Sequence, residues 1–369
     1  MNKNKLMLYK HVTENNRGIA LIITLMVITL LVAVTFELNR QMRSAVTDSA
    51  MSRDRLTLLH MIASGVEAAQ AVLIQDKNTT EIDSLQENWA DPEKLNEYIA
   101  QVPFDDGEMT IYISDELSRI QVNAMVAYPQ GKEFNEAQRD LWYRFIALLL
   151  SQLSEEDDFM KEIIEPNAII NPIKDWLDFD DGDAITGLTG AENDYYQSLD
   201  PPYSCRNGPI RHIQELMRIK GITPELFMHI DQEVSGISQF VTVYGAVAAE
   251  NKFSFPGKIN INTAELPVVA ALLPPEFMFL APEICDFRIE KADNLYLNDL
   301  SSTTWYKNVP GCSEIEISEE LITTSSDLFR IQCAARLNDM FMSATVIVFR
   351  EKESESGKWY CRVLHWTYD

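Results

Sequence analysis

Cationic residues are the scarce class in this sequence. Lys and Arg number 31 against 56 Asp and Glu, a formal net charge of −25. A surface of that sign repels nucleic acid and anionic lipid and attracts divalent cations or basic partners, so DNA is not an expected ligand. Histidine is sparse too. The five, at positions 11, 60, 212, 229 and 365, have no metal-ligand spacing, and His212 and His229 read as ordinary surface or core side chains. No Gly-x-Ser-x-Gly, phosphate-binding glycine loop or dinucleotide fingerprint occurs. With neither a placed nucleophile nor a catalytic metal, the chain does not read as an enzyme. Two further absences are informative: no charged residue between Ile19 and Phe36, and no proline before Pro92.

The uncharged run of 18 positions would span roughly 27 Å as a helix, enough to cross most of a bilayer core. Lys3, Lys5, Lys10 and Arg17 precede it against one acid, Glu14, which keeps the short leader on the cytoplasmic side and sends the rest across. The leader ends in Arg17-Gly18 directly before the apolar run, unlike a secretory signal, whose cleavage site follows its apolar region. This arrangement resembles a type IV prepilin leader, which implies cleavage between Gly18 and Ile19 by a prepilin peptidase and N-methylation of Ile19. Most pilins and pseudopilins carry Glu at the fifth mature position, where this chain has Ile23. A carboxylate there would need a cation in lipid, so its absence suggests a subunit not packed beneath another of its kind.

With 369 residues, 46% of them hydrophobic, there is room for two or three domains with real cores. Helical spacing continues through Leu38, Met42, Leu56, Leu59, Ile62, Val66, Ala69 and Leu73, predicting a long N-terminal helix partly outside the membrane. Gly107 to Val122 reads as a β-hairpin turning at Asp115-Glu116. Three strands are predicted at Leu328–Leu337, Met342–Arg350 and Trp359–Trp366, and an amphipathic helix at Phe134–Leu153. Arg119-Ile-Gln-Val-Asn123 and Lys258-Ile-Asn-Ile-Asn262 form a weak internal repeat, each ending on an Asn suited to capping a following helix. The five cysteines, 205, 285, 312, 333 and 361, lie in an oxidising compartment and allow up to two disulfides. Cys285–Cys312 is preferred, Cys333–Cys361 would join two strands, and buried free thiols are equally compatible.

Residues 175–196, DWLDFDDGDAITGLTGAENDYY, concentrate carboxylates that would repel one another without a cation among them. Oxygen ligands at this density suit calcium better than zinc. The candidate ligands are Asp178, Asp180, Asp181, Asp183, Glu192 and Asp194, folded together by Gly182, Gly187 and Gly190. The spacing is not that of an EF-hand. Pro209 to Phe227 reads as a helix–turn–helix hairpin with Gly221 after the first helix and Thr223-Pro224 opening the second. Given the charge, it is a structural unit.

The leader, together with DWLDFDD, GAENDYYQSLDPPY, RNGPIRHIQELMRIKGITPELF and KININTA, resembles the type II secretion minor pseudopilin K family, also called general secretion pathway protein K. The resemblance implies an α+β, type IV pilin-like fold: a long N-terminal transmembrane helix and antiparallel sheet, interrupted by a large inserted all-α domain of two sterile-α-motif-like subdomains. The corresponding division is a cleaved leader at 1–18, a transmembrane segment at 19–36, and a pseudopilin helix with first strands at 37–123. An α-subdomain with the acidic calcium loop follows at 124–257, a second helical subdomain at 258–327, and C-terminal strands at 328–369. The family further implies a single-pass inner-membrane protein with its bulk in the periplasm. It would cap the pseudopilus tip with minor pseudopilins I and J above minor pseudopilin H and major pseudopilin G, prime assembly for protein secretion, and bind Ca2+ in the α-domain. The interface is expected on the helix from Met42 to Leu73 and near Ile111 and Val346. The alternative is a nucleic-acid-binding minor pilin of a DNA-uptake system, which the net charge opposes.

Overall fold

A computed structural model describes residues 17–99, 107–152, 165–179, 184–228, 235–249 and 252–368. The leader before Arg17 lies outside them. A single helix, α1, runs Arg17–Lys77, unbroken because nothing in it removes a backbone donor. Every residue from Gly18 to Arg53 is exposed. Burial begins at Asp54 and continues at Leu58, Met61, Ile62, Val66, Ala69 and Leu73, a stripe at helical spacing that packs on the sheet. Gly65 marks the closest approach. A Cβ there would stand 2.7 Å from Met109 Sδ and 2.8 Å from Cys333 Sγ, so the glycine lets the helix backbone come close to these strand side chains without displacing them.

Of the strands, β1 to β12 in chain order, four form that sheet: β1 (Glu108–Asp115), β10 (Leu328–Leu337), β11 (Met340–Lys352) and β12 (Trp359–Tyr368), antiparallel in the order β1-β10-β11-β12. The three C-terminal strands lie where their alternation predicts. Asn338 in the β10–β11 turn has φ of 53°, the left-handed conformation a tight hairpin needs, and its side chain donates to Asp54 Oδ2 at 2.8 Å.

The predicted hairpin at Gly107–Val122 does not form. β1 pairs along its whole length with β10, because Ile111 and Ile113 must bury against α1 on the same face as Phe329, Ile331 and Cys333. After Asp115, whose carboxylate accepts Leu117 N–H at 2.8 Å, the chain makes one tight turn and leaves the sheet. Ile111 and Val346 are 3% and 0% exposed beneath α1, so they contribute core, not the partner surface expected of them.

The chain between β1 and β10 carries its own core. Helix α2 (Pro92–Ile99) precedes β1, and α3 (Glu136–Ser151) is the predicted amphipathic helix, burying Leu141, Trp142, Phe145, Ile146 and Leu149. Short hairpins β4–β5 (Val247–Ala249 with Lys252–Ser254) and β7–β8 (Lys291–Ala292 with Leu295–Tyr296) lie at its periphery. The internal repeat has a counterpart in two parallel pairings: β2 (Ile120–Gln121) with β3 (Val241–Thr242), and β6 (Ile259–Asn260) with β9 (Ile322–Thr323). Asn123 Nδ2 donates to Val243 O at 2.9 Å and Asn262 Nδ2 to Thr324 O at 3.2 Å, in each case the residue just past the partner strand. These asparagines do not cap helices. Asn123 lies within the turn Val122–Met125, and the helix Leu266–Leu272 starts only after Glu265. Both amides are buried and satisfied by carbonyls from distant segments.

The first member of the predicted helix pair is a 3-10 run, Ile213–Arg218, and the second a short helix, Pro224–Met228. Asn123 holds both the N–H and the carbonyl of Ile210, so that residue cannot start an α-helix. Gly221 has φ of 87° and Thr223 Oγ1 accepts Leu226 N–H at 3.2 Å, as the sequence predicts for the turn. All five cysteines are free thiols, which corrects the disulfide preference. Burial pushes the thiols of Cys205 and Cys333 up to about 12 and that of Cys361 to about 11, so the reactive thiolate is scarce at neutral pH.

Candidate functional site

Helix Asn167–Leu177 is buried from Ile169 onward, and its last turn carries Lys174 and Asp175, with Asp178 as C-cap. The loop 184–192 folds back over it. Asp175, fully buried, accepts Thr186 N–H at 3.1 Å and Ala191 N–H at 2.8 Å. A Cβ on Gly190 would stand 2.2 Å from Asp175 Oδ2, so glycine is required where the loop crosses the carboxylate. The wrap brings Glu192 to Asp175 and Asp178, with one oxygen from each within 4.8 Å of the others. Lys174 Nζ lies 2.5 Å from Asp178 Oδ2 and 4.0 Å from Asp175 Oδ1. Burial raises the Asp175 carboxyl above its usual range, against the lowering effect of the Thr186 and Ala191 hydrogen bonds and Lys174. The three buried carboxylates, hard oxygen donors at a spacing one ion can bridge, could hold a metal ion beside the Lys174 ammonium.

Of the six ligands expected from sequence, Asp178 and Glu192 come together. Asp194 is exposed on the first turn of the helix Asn193–Gln197 and stays outside the group. Asp180, Asp181 and Asp183 lie outside the described residues. The missed participant is Asp175. Its three-residue spacing from Asp178 at a helix end was the available signal, since i and i+3 share a helix face.

A second polar centre joins the parts of the molecule. Arg350 near the end of β11 is fully buried. Its Nη1 donates to Leu73 O at 2.9 Å and reaches Asp76 Oδ2 at 3.4 Å, and its Nη2 meets Asp83 Oδ1 at 2.5 Å and Ser326 O at 2.7 Å. The Asp83 carbonyl in turn accepts the side-chain amides of Asn260 and Asn262. The end of α1, β11 and the second half of the repeat thus meet on one aspartate. Asp76, Asp83 and Glu87 also bring three oxygens within 4.8 Å, but here the guanidinium supplies the counter-charge.

Burial raises Asp76 to about 6, with Asp83 adding repulsion; burial raises Glu87 to about 7, with Asp76 adding repulsion; and burial raises Asp115 to about 6. The folded state therefore holds protons that the unfolded chain has released above its ordinary carboxyl range, and stability falls as pH rises from about 4.5 to 7. Each unit is worth up to about 1.4 kcal/mol, less for the partly exposed Asp76 and Glu87. Melting in chelator is expected at a higher temperature at pH 5 than at pH 8, with Glu87→Gln flattening the slope. A melting temperature that rises over this interval would contradict the assignment.

A family model described as type II secretion system (T2SS), protein K, matches residues 118–237, the segment holding the first repeat half and the acidic group. The chain is 28% identical over 223 residues to the type II secretion system protein K of Pectobacterium carotovorum, covering 59% of this chain and 62% of that protein. It is 24% identical over 259 residues to that of Aeromonas hydrophila, covering 69% of each. The match thus spans less than two thirds of the Pectobacterium relative's length. The chain is thus similar to the type II secretion system protein K family. Its fold is similar to a chain in the crystal structure of the GspK-GspI-GspJ complex from enterotoxigenic Escherichia coli, with TM-score 0.59 and 14% identity, covering 87% of this chain and 99% of that one. Among the described residues one helix, near the N-terminus and including Ile19–Phe36, is long and apolar enough to cross a membrane.

Proposed function

We propose that this protein caps the tip of the type II secretion pseudopilus, where it joins minor pseudopilins I and J, sits above H and G, and primes assembly for export of folded proteins across the outer membrane. The observation that carries the reading is the insertion. Adjacent strands β1 and β10 are separated in sequence by a body with its own core, too bulky to be enclosed among subunits stacked by their N-terminal helices. Ile23 in place of the acid fits a subunit with none of its kind above. The mature protein begins at Ile19 after cleavage by prepilin peptidase, is N-methylated, spans the inner membrane once, and places residues 37–369 in the periplasm. The insert comprises two sterile-α-motif-like subdomains, 124–257 and 258–327, and the first binds Ca2+ at Asp175, Asp178 and Glu192, with the neighbouring Asp180, Asp181 and Asp183 as further candidates.

The free stretch of α1 supports the partner reading. Leu38, Met42, Val46, Met51 and Leu56 are each at least 55% exposed, an apolar series that nothing among the described residues covers. Met51→Glu with Leu56→Glu should abolish co-elution with I and J in size exclusion while leaving melting unchanged. Normal co-elution of that variant would overturn the orientation. Gly18→Leu should leave full-length precursor in the inner membrane, and unaltered processing would rule out the prepilin reading.

A further inference from the structure

A groove of about 1440 Å³ separates the insert from the sheet face turned away from α1. It exceeds the roughly 300–1,000 Å³ typical of small-ligand pockets. Its sheet wall includes Phe349, Arg362 and Leu364, and its insert wall includes Arg206, Arg211 and Arg218. The ring of His365 on β12 lies 6.3 Å from that of His212 and 6.2 Å from that of Tyr244, joining the two walls. The charge of the groove is opposite to that of the molecule. Among the described residues, four arginines line it against one acid, Glu215, in a chain whose acids outnumber its bases 56 to 31. Arg206 pairs with Glu215 at 2.9 Å and Arg362 with Glu351 at 2.8 Å. Arg211 and Arg218 are exposed and have no ion-pair partner among the described residues. Beside them Met217, Phe253 and Leu364 are 40%, 39% and 37% exposed.

We infer that this groove binds an extended, acidic segment of a partner protein carrying an apolar anchor residue. The size calls for a chain segment, the free guanidiniums match carboxylates at fork geometry, and the exposed Met217 and Phe253 offer a surface for the anchor. Elsewhere the acidic surface repels such a segment, so the groove is where it can dock. The inference does not rest on the tip assignment, because it concerns only the chemistry of this surface.

The test is fluorescence anisotropy with full-length protein in non-ionic detergent at low salt, using a labelled peptide of Asp and Glu interrupted by one Phe. Binding should weaken at least about tenfold in Arg211→Glu with Arg218→Glu, weaken with added salt, and weaken when the Phe is replaced by Ser. Lys132→Glu, an exposed position outside the groove, should leave it unchanged. No binding, equal binding of a Lys-substituted peptide, or indifference to the arginine changes would overturn the inference. Tighter binding of single-stranded oligo-dT or dextran sulfate, lost in the same variant, would overturn it in favour of a non-protein polyanion. Because both arginines are exposed, the melting curve of the variant should match the parent, and Arg211→Ala with Arg218→Ala provides the milder version of the same loss.

Discussion

Arg350→Met is expected to cost about 3–5 kcal/mol, the usual penalty for removing one partner of a buried ion pair. The side chain is fully buried between α1 and β11 and answers Asp83, itself 0% exposed, at 2.5 Å. Without the guanidinium, the buried Asp83, whose carboxyl burial already pushes upward, must either take up a proton or hold its charge beside Asp76 with Lys77, at 3.7 Å, as the remaining cation. The carbonyls of Leu73 and Ser326 lose a donor as well. The melting transition should fall by on the order of 10 °C. Adding Asp83→Asn removes the stranded charge, so the double variant should lose less than the sum of the singles. Additive losses would show that the two side chains act independently, and an Arg350→Met variant within 1 °C of the parent would remove the joint from any account of stability.

Calcium should raise the melting temperature of the insert. An ion that binds only the folded state stabilises it by about 2.7 kcal/mol at a hundredfold excess over Kd. The carboxylates of Asp175, Asp178 and Glu192 converge within 4.8 Å, with Lys174 as the resident counter-charge. Removing that ammonium with Lys174→Met should make the folded state depend more steeply on calcium, because repulsion among the carboxylates is then unrelieved. Asp178→Asn with Glu192→Gln should remove the calcium response. The backbone hydrogen bonds to Asp175 that shape the loop remain in that variant, so the response can be lost without loss of the fold. Superimposable melts in calcium and in chelator for the parent protein would sink the metal reading.

Legibility followed the range of the interactions. Helix α1 and strands β10, β11 and β12 were readable because each states its period within its own residues: an apolar stripe from Ile62 to Leu73 and alternation from Leu328 onward. The acidic loop was readable as a concentration of carboxylates, but not as a site. Which of them converge depends on where the loop returns across the Asn167–Leu177 helix, and the crossing at Gly190 set that. Asp175 entered the group and Asp194 left it for this reason.

Composition and local pattern alone therefore determined the long apolar N-terminal helix, the acidic character, the secondary structure of the C-terminal sheet and the existence of a repeated motif. Only the tertiary structure decided that β1 pairs with β10 across the whole insertion, that Ile111 and Val346 are core, and that Asn123 and Asn262 fasten parallel strand pairs instead of capping helices. The same holds for Arg350 and Asp83, 267 residues apart in sequence. The physical reason is common to all of these. A side chain's partner across the fold leaves no trace in its neighbours along the chain, and a buried charge or amide is defined by that partner.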